Sequence, residues 1–442
     1  MKNICKKIFI IIIILGIIVS YIPVTNYKAL AVNETENDSK DTEQDNIKTE
    51  IQFGNQKIKE YFTQNCDFNG DKIITETDML QVKEVILDNL SPEEIDFSGL
   101  EYAKNLKTLK ITNPGIKISN QKNIEIFKNL TKLEELSLRL DYDHIEDISS
   151  ILSNLTSLKI LDIWNADFRN VDFSKLNKLE ELNIGNVKIN NIEQISCLKN
   201  LKSLHIYNSY GISNFEKLPI DNLTSLILTN NENIKSLDLT QNFNKLTELN
   251  LQNCKIEDLK FIEKNTNLIN LNLNNNNIKD ISSISNLTKL QSLYLSGNKI
   301  ENISALESLS KLMNAYLDNN YINDISPIGQ LKELKYLDIT KNPINVNSNT
   351  FTETTEKLKN NGCNIRADEE DKSEIVKFKD EKLKQKIIEK GYDANKDNEI
   401  TINEMKQIYN LEISDYNNLI TDISELKYAT NLSSLSINLD CT

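Results

Sequence analysis

Apolar residues recur along the chain at a fixed interval. From Leu290 they fall at Leu293, Leu295, Ile300, Ile303, Leu306 and Leu309, and the series restarts at Leu312. The Leu293-x-Leu295 step has period two and predicts a short strand whose intervening residues face the other way. The steps from Ile300 to Leu309 have period three and predict a 3₁₀-like return. Asn298 stands at the bend between them, where its amide can serve the unpaired backbone groups of the turn. One such unit cannot bury its own apolar stripe. Stacking on neighbours buries it, and about seven apolar side chains at ~1.5–3 kcal/mol each then oppose the ordering entropy.

The pattern L-x-x-L-x-L-x-x-N starts at Leu223, Leu246, Leu268, Leu290, Leu312 and Leu334, at intervals of 23, 22, 22, 22 and 22. Upstream it starts at Leu106, Leu133, Leu158, Leu179 and Leu201, at looser intervals of 27, 25, 21 and 22. Asn231, Asn276, Asn298, Asn320 and Asn342 take the bend position, and Cys254 replaces Asn in its repeat, which marks it as a core thiol. This period defines a leucine-rich repeat solenoid. The longer form, seen in Ile278-Lys279-Asp280-Ile281-Ser282 and Ile322-Asn323-Asp324-Ile325-Ser326, resembles the bacterial internalin-like subclass. The match spans about Val82 to Ile344, with an odd segment at Ile234–Asn242. The expected fold class is α/β: a curved parallel β-sheet on the concave face, a 3₁₀ or irregular convex side, and small helical EF-hand-like caps. The resemblance implies a secreted or cell-surface adhesion protein of a Gram-positive-type bacterium. It would bind a protein or glycan ligand on another surface.

Two twelve-residue segments rich in side-chain oxygen flank the repeats. The first runs from Asp67 to Asp78 and the second from Asp393 to Glu404. Each offers oxygens at loop positions 1, 3, 5, 7, 9 and 12, the spacing that wraps one hard cation such as calcium. The metal-ligand candidates are Asp67, Asn69, Asp71, Ile73, Thr75 and Asp78, then Asp393, Asn395, Asp397, Glu399, Thr401 and Glu404. Ile73 and Glu399, at position 7, would contribute backbone carbonyls. The departures are Lys72 and Asn398 where glycine usually makes the sharp turn, and Asp78 at position 12. Without a metal, both loops are Asx-rich turns. They are similar to dockerin loops, but a dockerin keeps its two loops in one small domain, whereas here a whole solenoid separates them. Gly99–Leu106 matches Glu425–Leu432 at an offset of 326, so the chain starts the same module twice.

The termini complete the plan. Lys2, Lys6 and Lys7 precede a twelve-residue apolar run, Ile8–Val19, and Ala29-Leu30-Ala31 supplies a cleavage site, as in a secretory signal peptide. The divisions are then 1–31 signal peptide, 32–50 disordered acidic spacer, 51–80 calcium-loop N-terminal cap and 81–345 solenoid. A C-terminal cap helix and linker follow over 346–372, with the helix read at Thr352–Asn361. Residues 373–407 form a second calcium-loop cap, and 408–442 start a second, truncated array. The last repeat begins at Leu432, and its edge is expected to pair with another chain or to mark a truncation. No transmembrane segment is expected once the signal is cleaved.

Composition narrows the function. The 442 residues carry a net charge of −14, and losing residues 1–31 removes four lysines and no acid, so −14 becomes −18. That excludes a basic nucleic-acid footprint. Six scattered cysteines lack C-x-x-C spacing, which argues against a zinc site or a disulfide framework. No Ser/His/Asp set, G-x-S-x-G, H-E-x-x-H or phosphate loop is present, so no enzyme is read. His205 and Asp162 share a face, as part of a binding surface rather than a catalytic pair. The concave columns place two clusters there: Ile160, Trp164, His205, Tyr207 and Ile227, then Tyr294, Tyr316 and Tyr336. Exposed aromatics on a rigid sheet have the character of binding hot spots, although tyrosine also simply suits strands. The alternative is a calcium-stabilised spacer scaffold with no ligand on that face.

Overall fold

The computed structural model describes residues 49–88, 90–91, 95–118, 120–143, 146–209, 212, 217–231, 234, 243–368, 373–393, 397–415 and 420–439. The expected signal peptide, the spacer up to residue 48, His144, Asn395, Cys441 and all of the Ile234–Asn242 segment except Ile234 lie outside the described residues.

Each repeat contributes one short strand, and the strands stack in chain order into a thirteen-stranded parallel sheet. They are β1 (Glu84–Leu87), β2 (Thr108–Ile116), β3 (Glu135–Leu140), β5 (Ile160–Trp164), β7 (Glu181–Gly185), β8 (Ser203–Tyr207) and β9 (Ser225–Ile227). There follow β10 (Glu248–Asn250), β11 (Asn270–Asn272), β12 (Ser292–Tyr294), β13 (Asn314–Tyr316), β14 (Tyr336–Asp338) and β15 (Asn364–Arg366). The two-residue strands β4 (Glu146–Asp147) and β6 (Ala166–Asp167) pair with each other. Leu249, Leu271, Leu293, Ala315 and Leu337 are aligned across the sheet and fully buried, as the repeat period requires. The alignment breaks early, where a register shift between Ile111 and Ile116 of β2 takes Thr112 out of line with Arg139.

The bend amides hold neighbouring repeats together. Asn298 Nδ2 donates to the carbonyls of Leu273 and Leu295, both at 3.0 Å, and its Oδ1 accepts from the Ile278 amide at 3.1 Å. Asn276, Asn320 and Asn342 repeat this arrangement. Cys254 is buried, and its Sγ donates to the Leu228 carbonyl at 2.8 Å, so the thiol does the work of the missing amide. The Asp-Ile-Ser motif also has a local reason. Asp280 and Asp324 each accept from the amide and hydroxyl of the serine two residues on, which starts the 3₁₀ turn.

A second asparagine series was not anticipated. Asn165, Asn186, Asn208, Asn230, Asn253, Asn275 and Asn319 leave the strands with φ between 49° and 64°. Asparagine tolerates this left-handed region better than most residues with a Cβ. Their amides form short chains, with Asn253 Nδ2 donating to Asn230 and Asn230 Nδ2 to Asn208. Gly297 holds the same place at φ 71°, where a Cβ would lie 2.4 Å from Asn275 Oδ1.

Helices close the first sheet. Helix α1 (Gln56–Asn65) is capped by Asn55 and buries Ile58 and Phe62, and Phe53 stacks on Phe62. Helix α2 (Glu76–Gln81) starts with a capping box between Thr75 and Asp78. Helices α3 (Gln121–Asn129) and α4 (Ser149–Leu152) lie within the early, irregular repeats. Helix α5 (Asn349–Asn360) begins three residues before the expected start, because the Ser348 side chain accepts from the Phe351 amide and caps it there. Strand β15 was also missed. It extends the sheet beyond β14 within a segment read as cap and linker, and its sequence Asn-Ile-Arg carries no repeat period.

The second module has its own core, built around Val376, Leu383, Ile387, Ile400, Met405 and Ile413. It contains α6 (Glu381–Glu389), α7 (Ile402–Lys406), β16 (Asn410–Asp415) and β17 (Ser434–Leu439). Asn410 pairs with Ser434 as Glu84 pairs with Thr108, in the same register at the 326-residue offset. The copies differ at the next layer. Leu109 is fully buried, whereas its counterpart Leu435 is 42% exposed. No described helix is long and apolar enough to cross a membrane.

Candidate functional site

The strand register sets the concave face. Residues Ser137, Asp162, Asn183, His205 and Ile227 stand side by side in its central column. The column beside it runs Arg139, Trp164, Gly185, Tyr207. Trp164 and Tyr207 therefore lie two strands apart, yet their rings stack at 5.4 Å between centroids and 18° between planes. Gly185 makes this possible. A Cβ there would lie 2.5 Å from the Trp164 ring, so the indole leans across the intervening strand only because the side chain is absent. On its other side the Arg139 guanidinium sits 5.4 Å from the indole centroid, a cation–π distance.

Arg139 is itself fixed. It makes a paired contact with Asp162, Nη1 to Oδ1 at 3.0 Å and Nη2 to Oδ2 at 2.7 Å, and Ser137 Oγ donates to the same carboxylate. The result is a stack of Arg139, Trp164 and Tyr207 on a rigid sheet. Both faces of the indole are covered, and the stack presents its rim. Burial pushes the Tyr207 phenol up to about 12, with Glu248, Asp162 and Glu181 adding to the shift.

His205 meets Tyr207 edge-on at 6.3 Å. Its Nε2 lies 2.9 Å from Ser203 Oγ and 3.1 Å from Ser225 Oγ. Burial lowers its pKa to about 4 against a small opposing effect of Asp162, so the ring is neutral at pH 7. Asp162 is two strands away and engaged by Arg139, and Asn183 stands between them. Asn183 Nδ2 donates to Glu181 Oε1 at 2.6 Å, while its Oδ1 is buried without a hydrogen-bond partner. Ile227 is half-buried beside His205. Ile160 does not join the stack: it stands at the other end of β5, between Glu135 and Glu181.

The tyrosine trio comes together more simply. Tyr294 and Tyr316 stack at 4.6 Å and 10°, and Tyr336 leans on Tyr316 at 4.9 Å and 39°. Tyr336 is diagonal to Tyr316, whose register partner is Asp338. Arg366 donates to Asp338 Oδ2 at 2.8 Å and closes this end of the face. Arg139 and Gly185 were absent from the sequence-derived set. Their signal was a column in which a lone glycine separates two aromatics and an arginine precedes them.

In the first oxygen-rich loop, Asp67 accepts from the amides of Gly70 and Lys72, Asn69 from Asp71, and Asp71 from Ile73. Lys72 at φ 62° and Asn398 at φ 64° both adopt the left-handed turn usually given to glycine. Thr75 and Asp78 form a capping box, as do Thr401 and Glu404. In the second loop Asp393 accepts from the amides of Asp397 and Asn398, and Asp397 from Glu399. The backbone thus has the turn a cation loop needs. Among the described residues, however, no three His, Cys, Asp or Glu side chains are gathered as a metal site.

A family profile described as leucine-rich repeats (2 copies) matches residues 266–308. No curated protein matches the chain in sequence. Among solved structures, an internalin (InlF) from Listeria monocytogenes is similar at a TM-score of 0.55 and 21% identity, covering 87% of this chain and 95% of its own. A leucine-rich repeat protein from Leptospira interrogans aligns with a TM-score of 0.46 and 19% identity, covering 82% of this chain and 80% of its own. With its thirteen-stranded parallel sheet and 22-residue period, the chain is a leucine-rich repeat protein whose solenoid is internalin-like in fold.

Proposed function

We propose that the chain is a secreted or surface-displayed interaction protein that binds a protein or glycan ligand through its concave face. The observation that carries this reading is the stack of Arg139, Trp164 and Tyr207. Stacked aromatics with an arginine on a preorganised surface are the residue types that dominate binding energy, because little freedom remains to be lost on association. The concave sheet supports recognition better than chemistry, since His205 is held neutral by burial and hydrogen-bonds to serines rather than to Asp162.

The test is a screen of labelled mature protein against arrayed extracellular protein domains and glycans, repeated with Trp164→Ala and Tyr207→Ala. A ligand whose affinity falls about tenfold or more in both variants, with folding retained, supports the reading, since such a contact is worth above 1.4 kcal/mol. A ligand indifferent to every concave-face substitution overturns it.

The calcium-stabilised scaffold is a second reading, and the left-handed turns at Lys72 and Asn398 favour it. In that reading Asp67, Asn69, Asp71, Thr75 and Asp78 hold one ion, and Asp393, Asn395, Asp397, Thr401 and Glu404 another, with Ile73 and Glu399 adding carbonyls. Calcium would then stiffen the two caps.

A further inference from the structure

Strands β10 to β13 carry a surface unlike the rest of the concave face. Its polar side chains are mostly amides: Asn250 and Asn272 in register, with Gln252 and Asn274 beside them. No lysine or arginine occupies a face position on these four strands. The two acids at its margins are each hydrogen-bonded to a serine hydroxyl, Glu248 to Ser225 and Asp318 to Ser296. The nearest face cations, Arg139 and Arg366, belong to the two ends and are paired with Asp162 and Asp338.

The amides are only partly used. Asn250 Oδ1 accepts from the Gln252 amide, Asn272 Oδ1 from Asn274, and Asn274 Oδ1 from Ser296. Among the described residues, the Nδ2 groups of Asn250 and Asn274 have no acceptor in the protein, and both side chains are half-exposed. The ladder ends on Tyr294, one of whose ring faces is taken by Tyr316. No described ring packs on the other, beside Asn272.

We propose that this surface binds an extended, uncharged oligosaccharide lying across the strands. Sugar hydroxyls donate and accept, as amides do, so each amide matches them in either sense. The ladder repeats every ~4.8 Å, close to the rise of one sugar in an extended chain, so equivalent amides meet equivalent hydroxyls. The open face of Tyr294 takes the C–H face of a terminal ring. A polyanion finds no cation here, and a protein ligand finds no aliphatic anchor and, for charge, only the two serine-bound acids at the margins. The proposal rests on the concave face being a binding surface, but on the half that lacks Trp164.

The experiment is calorimetric titration of the full mature chain with cellohexaose, chitohexaose, mannohexaose and xylohexaose, with a heparin hexasaccharide as the charged control. The expected result is binding of at least one neutral hexaose. Tyr294→Ala and Asn274→Ala should each weaken it about tenfold, the loss of one stacked or hydrogen-bonded contact. Tyr294→Phe, which keeps the ring, should retain most of the affinity and controls for folding. Binding of none of the neutral hexaoses, stronger binding of the heparin fragment, or indifference to both substitutions overturns the proposal. A protein ligand lost in Trp164→Ala, alongside that outcome, would leave the broader concave-face reading standing.

Discussion

Gly185 shapes the concave face by what it lacks. The indole of Trp164 occupies the space over β7 that any side chain would fill, and from there it reaches Tyr207. His205 lies next to this stack, and its protonation is a handle on the whole cluster. Burial lowers its pKa to about 4 from an ordinary 6.5, so the unfolded chain takes up the proton first as pH falls. The native state is therefore undiminished above pH 6.5 and loses stability progressively down to about pH 4. At 1.36 kcal/mol per unit, the loss approaches ~3 kcal/mol at most. His205→Gln keeps a polar group near Ser203 and Ser225 but does not titrate. Urea midpoints of the two proteins should converge on acidification from pH 7 to 4.5, with wild type losing more. Parallel midpoints would mean that His205 is solvated.

At the scale of the repeat, one amide serves three backbone groups. Asn298→Ala strands the buried amide of Ile278 and removes one of two donors from the carbonyls of Leu273 and Leu295, which keep Asn276 and Asn320. At ~1–3 kcal/mol for one buried unsatisfied group, the substitution should cost about 1–3 kcal/mol by chemical denaturation. Cys254→Asn should be tolerated, since an amide there can reach the Leu228 carbonyl now taken by Sγ. A cost for Asn298→Ala below ~1 kcal/mol would mean that water replaces the ladder. These roles were legible because a strict interval repeats the same local problem, and the same residue answers it each time. Strand β15 was not legible: it is held by pairing with β14 and has no period of its own. The Arg139–Trp164–Tyr207 stack was half legible. The aromatics announced themselves, but an arginine is common and a glycine has no side chain to notice, so their roles emerge only from register.

At the scale of the whole molecule, the described residues form two apolar cores that share no residue, one under the main sheet and one around Leu383, Ile400 and Met405. Each core takes in residues on both sides of one of the two oxygen-rich loops, so any cation effect must be resolved core by core. Trp164 is the chain's one tryptophan and belongs to the main sheet, so its fluorescence follows that sheet alone. Amide exchange across β16 and β17 follows the other. If both loops hold calcium, adding the ion should raise both transitions, by about 2.7 kcal/mol when calcium is a hundredfold above its dissociation constant. Asp393→Ala with Asp397→Ala should abolish that response in β16 and β17 and leave the Trp164 transition responsive, since Asp67 and Asp71 are intact. An unchanged calcium affinity in this variant would remove the second loop as a site. A Trp164 transition that shifts with the variant would show that the cores are coupled. Insensitivity of both transitions to calcium and to chelator would reduce the loops to Asx-rich turns, in which Asp67 and Asp393 do no more than hold the amides they already accept.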